Sequence, residues 1–469
     1  MPSSRTRIPR RVQLIFFPTL YNPGQEPNMK TSFRSVQNVF AVVGAALALS
    51  PLVTAAANST NSTSDFVVGA GRVDITPVIS PNWLPLNEFE LEKLHVRAIV
   101  FQNDGVRGAI VSCEVVSLDD PVMQSAIALL AAELDTPASN ILFSVTHTHG
   151  AAPGGSYPTQ NYGGGAVGTY ASIGLAAADA VKQAVSKLQP AKVGYSTGRA
   201  YYNVNRDAFN ELTGRWTQAS NLTGPVDREV EVLSFLNMEN LPIASYTTLF
   251  SQQASGDVNP LFRRVGTNNL ASMNLLPITG FELTQEPVEE PIRDRLIPLS
   301  RPDTTYARQL FGQLTALGIM MGEEVIRIMS LTKDYDSNPT IWSKQQNATC
   351  PGRKRIDRAR EGVPGVYTNA SDVSIITGVL GLGDIVLASV GAEIFTKIGL
   401  RIKAESTMNK TMLVTMTNGK AASGYVPDAG SWDHETFQVL GSNLQPGSCP
   451  EVTIAGTLSS LISQYRSTK

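Results

Sequence analysis

Apolar residues fall into two kinds of run along this chain. Short β-rich runs bounded by turn residues predict strands in "FVVGAGRVDITP" (66–77), "NILFSVT" (140–146), "AKVGYST" (191–197), "REVEVLSFLN" (228–237) and "PIASYTTLF" (242–250). "TMLVTMTNG" (411–419) reads as a further strand and turn. Between residues 96 and 118, two such runs flank Asn-Asp-Gly, the composition of a tight hairpin. Other stretches place apolar residues three and four apart, as one face of a helix requires. These are 122–134, 170–188 with Val181, Val185 and Leu188 on one face, and a last helix near 455–465. Residues 303–331 read as one long helix or as two broken at Gly318 or Gly322. Residues 373–405 read as strand, turn, strand and helix. Strands and helices alternate, with some hairpins and no internal repeat. The predicted class is α/β, with mixed β-sheets flanked by helices in a single large domain over 66–469.

Composition narrows the picture. The chain has 469 residues, of which 42% are hydrophobic and 17% charged, enough apolar material for a sizeable core. Its net charge of −2 excludes a broadly basic nucleic-acid surface, and no nucleic-acid partner is expected. Met29, Lys30 and Arg34 precede an apolar run at 39–50 and the small residues "TAAA" at 54–57. That pattern predicts a signal peptide over 29–57, an upstream extension over 1–28 and a polar spacer over 58–65, with a signal anchor as the alternative. Asn-X-Ser/Thr sequons follow at Asn58, Asn61, Asn221, Asn347, Asn369 and Asn409, so a secreted glycoprotein is expected. Of the three cysteines, Cys350 and Cys449 could pair in an oxidising compartment, and Cys113 sits in an apolar strand.

The chemistry begins where the 140–146 strand ends. His147 and His149 stand two apart, on the same side of an extended backbone. From the residues alone the pair reads equally as part of a metal site or as two polar residues at a strand end. The ordered set "GAGRVDITP", "ILFSVTHTHGAAPGG", "NVNRDAF", "FSQQASGDVNP", "GDIVLASVGAEIFTKIGLRI" and "NGKAASGYVP" resembles the neutral (non-lysosomal) ceramidase family over about residues 66 to 440. The resemblance implies that 66–469 is a catalytic domain: a zinc amidohydrolase that cleaves the N-acyl bond of ceramide to give sphingosine and a fatty acid. It implies Zn2+ held by His147, Glu393 and Tyr425, with His149 and Arg206 at the reacting oxygen. Gly154 and Gly155 would let the chain turn tightly beside the metal. Each residue has a plainer alternative: Glu393 as a helix N-terminal residue, Tyr425 as a turn aromatic, and Arg206 paired at the surface with Asp207 or Asp227.

Three departures from the family pattern shape the expectations. The second zinc histidine is absent, and the block that should carry it is missing near 247–249. The chain as written is therefore expected to bind zinc weakly and to hydrolyse ceramide poorly or not at all. A family serine is replaced by Asn259, which can still donate a hydrogen bond to an oxyanion. A Tyr-Glu pair becomes His434-Glu435, making His434 a candidate proton donor. The expected partner is ceramide or a related N-acyl lipid, with a membrane surface met only through the substrate. The alternatives are a truncated, catalytically impaired relative and a metal hydrolase acting on other amides or esters.

Overall fold

The computed structural model describes residues 65–75, 94–147, 169–250, 280–282 and 305–468, apart from 116, 202, 204, 359–361, 421 and 422. All belong to the compact unit Asn61–Lys469. The expected extension, signal peptide and nearly all of the polar spacer lie outside the described residues, as do His149, Gly154, Gly155 and Asn259.

The first sheet is built from β1 (Val67–Asp74), β2 (His95–Asn103), β3 (Val106–Cys113), β4 (Ile141–Val145), β5 (Gln189–Arg199), β8 (Glu229–Asn237), β9 (Pro242–Phe250) and β10 (Gly280–Glu282). A separate hairpin, β6 (Asn205–Asn210) and β7 (Arg215–Asn221), leaves the sheet between β5 and β8. The strand order is β10-β9-β8-β5-β1-β2-β3-β4, and the short β11 (Tyr335–Asp336) adds to β5. The β3–β4 and β9–β10 pairs are parallel and the others antiparallel. The second sheet runs in the order β12 (Ile341–Arg355), β13 (Tyr367–Leu382), β14 (Ile385–Val390) and β16 (Lys410–Val414). Between and after the last two strands, β15 (Glu393–Ile394) and β17 (Tyr425–Val426) form a two-residue parallel ladder. The helices are α1 (Asp120–Leu134), α2 (Ile173–Val185), α3 (Thr305–Leu331), α4 (Thr396–Glu405), α5 (Phe437–Leu440) and α6 (Cys449–Ser467). The mixed sheets and flanking helices match the expected class. Among the described residues no helix is long and apolar enough to cross a membrane.

Side-chain alternation turns these strands into four layers. On β2, Val96, Ala98 and Val100 join α1 and α2 in one core, whereas Ile99 and Phe101 point the other way. There they meet Leu380, Leu382, Ile385 and Leu387 of the second sheet. The opposite face of that sheet, with Val386, Ala388 and Val390, packs against Ile398 and Ile402 of α4 and Leu458, Leu461 and Ile462 of α6. The order is helices, sheet, sheet, helices. Strands buried on both faces explain the near-continuous apolar runs in the sequence. The "GAG" of β1 has a packing cause: a Cβ on Gly69 or Gly71 would come within 2.0 Å of the α2 carbonyl oxygens of Ala184 and Ala180. Helix α2 lies directly on the strand because those side chains are absent.

The Asn-Asp-Gly turn forms as predicted, with Asp104 at φ 47° and Gly105 at φ 74°. Residues Thr305–Leu331 form a single helix, since neither Gly318 nor Gly322 breaks it. Of the elements that went unread in the sequence, two are substantial. One is the β6–β7 hairpin; the other is β12, whose polar side chains alternate toward solvent along a long pairing with β13. Cys350 on β12 is disulfide-bonded to Cys449 at the start of α6, and Cys113 is a buried free thiol. Burial raises the Cys113 pKa, with the neighbouring Glu114 charge adding to it, so the thiol stays protonated and unreactive.

Helix α4 is fastened to the first sheet by one ammonium group. Lys403 Nζ lies 2.7 Å from Asp227, 3.0 Å from Glu229 and 3.1 Å from Glu231. Burial alone would lower the lysine pKa, but the three carboxylates outweigh it and hold it above the ordinary value. Glu231 is itself raised, chiefly by burial. Lys403→Met therefore leaves buried carboxylates uncompensated and should cost about 3–5 kcal/mol. The deficit should be largest at neutral pH. With its pKa raised by burial, Glu231 binds a proton in the folded state that the unfolded chain gives up. Stability of the variant should thus rise as pH falls toward about 5. Denaturant unfolding of both proteins across that range measures this; a pH-independent deficit would contradict it.

Candidate active site

Three sequence-distant residues meet at the ends of the two sheets. Strand β4 carries the chain to His147, which is buried and held at φ 55°, a left-handed conformation uncommon for a residue with a side chain. Strand β14 leads to Glu393. The His147 Nε2 and Glu393 Oε2 atoms are 3.4 Å apart. Tyr425 is the ladder partner of Glu393, so the parallel β15–β17 pair sets carboxylate and phenol side by side. Glu393 is therefore not a helix-capping residue. Helix α4 begins three residues later with Phe395 at its N-cap, and Glu393 belongs to a strand. Tyr425 is likewise in a strand rather than a free turn.

One segment joins the two sheets at this point. The Asn418 N–H donates to Phe143 O at 2.8 Å, and its side chain accepts from Phe143 N at 2.7 Å and donates to Ile141 O at 2.9 Å. Val145 N donates to Met416 O, and Met416 N to Ala392 O. Thr417 N donates to Val390 O. The stretch after β16 thus bonds both β4 and the end of β14, the two strands that deliver His147 and Glu393. Sequence reading placed a turn here but did not single out Asn418, although Asn-Gly is the pair in which an αL asparagine is most at home.

The spacing of His147 and Glu393 fits two ligands of a small divalent cation of the zinc type. Ligands about 2.0–2.2 Å from a tetrahedral zinc lie about 3.4 Å from each other, the spacing of the imidazole nitrogen and carboxylate oxygen here. Glu393 Oε2 is buried and makes no hydrogen bond among the described residues, so it remains available as a ligand. Among the described residues no three His, Cys, Asp or Glu side chains gather as a metal site. Tyr425, expected as the third ligand, is the ladder partner of Glu393.

A second cluster lies around the β6–β7 hairpin. His434 Nδ1 is 2.8 Å from Asp207 Oδ2, and its ring stacks on Trp216 with centroids 3.7 Å apart. Asp207 is buried, and its Oδ1 has no hydrogen-bond partner among the described residues. Both line a cavity of about 230 Å³ with Thr396, Lys397, Asp428 and Ser431. Thr396 and Asp428 each lie three residues from Glu393 and Tyr425, so the chain links the cavity wall to the ligand set. Arg206 is buried in β6 beside Asp207. Its burial is at odds with the plainer alternative of a pairing at the surface. Asp207 and Trp216 were missed in the sequence; the only pointer was adjacency to Arg206. The remaining described histidine, His95, is fixed in place by Arg97 and Glu114.

No protein-family model matches the sequence, and no curated protein matches it. Solved structures do. A ceramidase complexed with C2 superposes with a TM-score of 0.61 at 14% identity, covering 86% of this chain and 76% of that one. A neutral ceramidase from Pseudomonas aeruginosa superposes with a TM-score of 0.57 at 14% identity, covering 86% and 75%. The likeness spans most of this chain, and its mixed sheets flanked by helices have the fold of the neutral ceramidases.

Proposed function

We propose that this chain is a secreted zinc-dependent amidohydrolase that cleaves the N-acyl bond of ceramide or a related N-acyl lipid. The observation that carries the reading is the 3.4 Å approach of His147 to Glu393 beside Tyr425, at the meeting point of the two sheets. These three residues would hold the zinc. When bound there, zinc supplies Lewis-acid polarisation of the amide carbonyl and a water made nucleophilic near neutral pH. The protein's own groups do the rest. Arg206, His149 and Asn259 would stabilise the negative charge on the carbonyl oxygen as the carbonyl carbon becomes tetrahedral. As the C–N bond breaks, the leaving nitrogen needs a proton. His434, with Nδ1 beside Asp207, would supply it from Nε2. The acyl group departs as a carboxylate and the sphingoid part as an amine. Secretion is supported by the Cys350–Cys449 disulfide and by the exposed sequon asparagines Asn347, Asn369 and Asn409.

The direct test is fatty-acid release from an N-acyl sphingoid substrate by the dialysed protein, with and without added zinc. With one imidazole in the described ligand set, zinc should be lost on dialysis and activity should return on its addition. Absence of turnover at saturating zinc would sink the reading. His434→Ala should lower kcat at saturating zinc by roughly 10²-fold while leaving the zinc concentration needed for half-maximal activity unchanged. A rise in that concentration would place His434 among the metal ligands instead.

A further inference from the structure

Two hairpin ends meet beside the His434 cavity, and neither is used by the proposed chemistry. The β6–β7 tip carries Phe209, 52% exposed, and Leu212, 99% exposed. The loop joining β12 to β13 carries Ile356, 59% exposed, and Val366, 54% exposed, held together by a hydrogen bond from Ile356 N to Val366 O. Gly362 in that loop fits so closely against the hairpin that a Cβ on it would sit 2.8 Å from Trp216 O. Its N–H donates to Glu435 O, the residue after His434. The two ends therefore form one rim, and Trp216 joins that rim to the cavity.

Asp357 on the rim is paired with Arg355, and at the β6–β7 tip Glu211 is exposed, but three cations stand without such partners. Arg215, Lys354 and Arg358 are exposed and form no ion pair among the described residues. Large apolar side chains interleaved with unpaired cations are poorly suited to water. They are suited to the boundary of an anionic bilayer, where the apolar groups enter the acyl region and the cations meet lipid phosphates. We propose that this rim is a docking surface for an anionic phospholipid membrane. It revises the expectation that a membrane is met only through the substrate, and it does not depend on the hydrolytic reading.

The test is co-sedimentation of the full chain with substrate-free vesicles of phosphatidylcholine alone or with phosphatidylserine. The apolar N-terminal run is common to all variants, so differences between them report on the rim. The parent protein should partition at least about tenfold more strongly onto the phosphatidylserine vesicles, with the preference lost at high salt. The double variant Leu212→Asp with Ile356→Asp, and separately Arg215→Glu with Arg358→Glu, should each lower that binding about tenfold. Both pairs are exposed, and unchanged circular-dichroism melting will show that the fold is kept. Binding that ignores both variants, or absence of binding to either vesicle, would overturn the proposal. So would a concentration-dependent dimer that the Leu212/Ile356 variant abolishes, because it would make a second copy the occupant.

Discussion

Glu393→Gln should abolish zinc retention and lower kcat/KM for N-acyl hydrolysis by roughly 100-fold or more, while leaving the metal-free protein as stable as the parent. The two halves of this expectation have separate causes. A neutral amide is a poor zinc ligand, and the charge stabilisation a metal supplies is worth several kcal/mol, which corresponds to factors of ten per 1.4 kcal/mol. Stability should not suffer, because Glu393 Oε2 makes no hydrogen bond among the described residues and contributes only its contact with His147. Replacing a buried carboxylate by an amide of the same shape removes a desolvation cost. Metal analysis after dialysis against a zinc buffer, together with calorimetric melting in chelator, checks both. Retention of zinc by the variant would show that the 3.4 Å pair is an ordinary ion pair.

Asn418→Ala should be the most destabilising single change near the site, at about 3–5 kcal/mol. It removes the side-chain bonds to Phe143 N and Ile141 O and leaves two buried backbone groups of β4 without partners, at about 1–3 kcal/mol each. It also places at φ 58° an alanine, which tolerates that conformation less well than asparagine and adds a smaller cost. Asn418→Gly separates the terms, since it relieves the backbone strain and still loses both bonds. Urea unfolding should rank the parent above Asn418→Gly and Asn418→Gly above Asn418→Ala. Because β4 delivers His147, activity should fall in the same order. Equal stability of all three would mean that the Asn418 side chain adds nothing to the joint and that main-chain bonds and packing hold it.

What could be read in the sequence was what is local. The β2–β3 hairpin, α1, α2 and the apolar strands are each set by their own side-chain period and turn residues. They appeared within a few residues of their predicted bounds. Strand β12 was hidden because one of its faces meets solvent and "SKQQ" breaks any apolar run. The hairpin β6–β7 was hidden because Phe209 and Leu212 point outward, so its pattern is not that of a core strand. At the site, the residues alone placed His147 just past a strand end and could go no further. Naming Glu393 and Tyr425 required the family resemblance, since β14 and β17 come close to β4 only through tertiary structure. Asp207 and Asn418 carried no signal of their own: one acts through His434 and the other through the backbone of β4.

The joint made by Asn418 also bears on when the site comes into being. His147 and Glu393 stand on different sheets, roughly 250 residues apart along the chain. Their closeness is a long-range contact of the kind that forms late, after each sheet has gathered its own local pairings. Neither sheet alone would hold a metal. On refolding, zinc uptake should lag behind the recovery of secondary structure and keep step with the docking of the sheets. In a cell the nascent chain could not be loaded until Tyr425 had been synthesised and the second sheet had closed on the first. Metal supply would then be a property of the compartment in which folding finishes, not of the one in which translation begins.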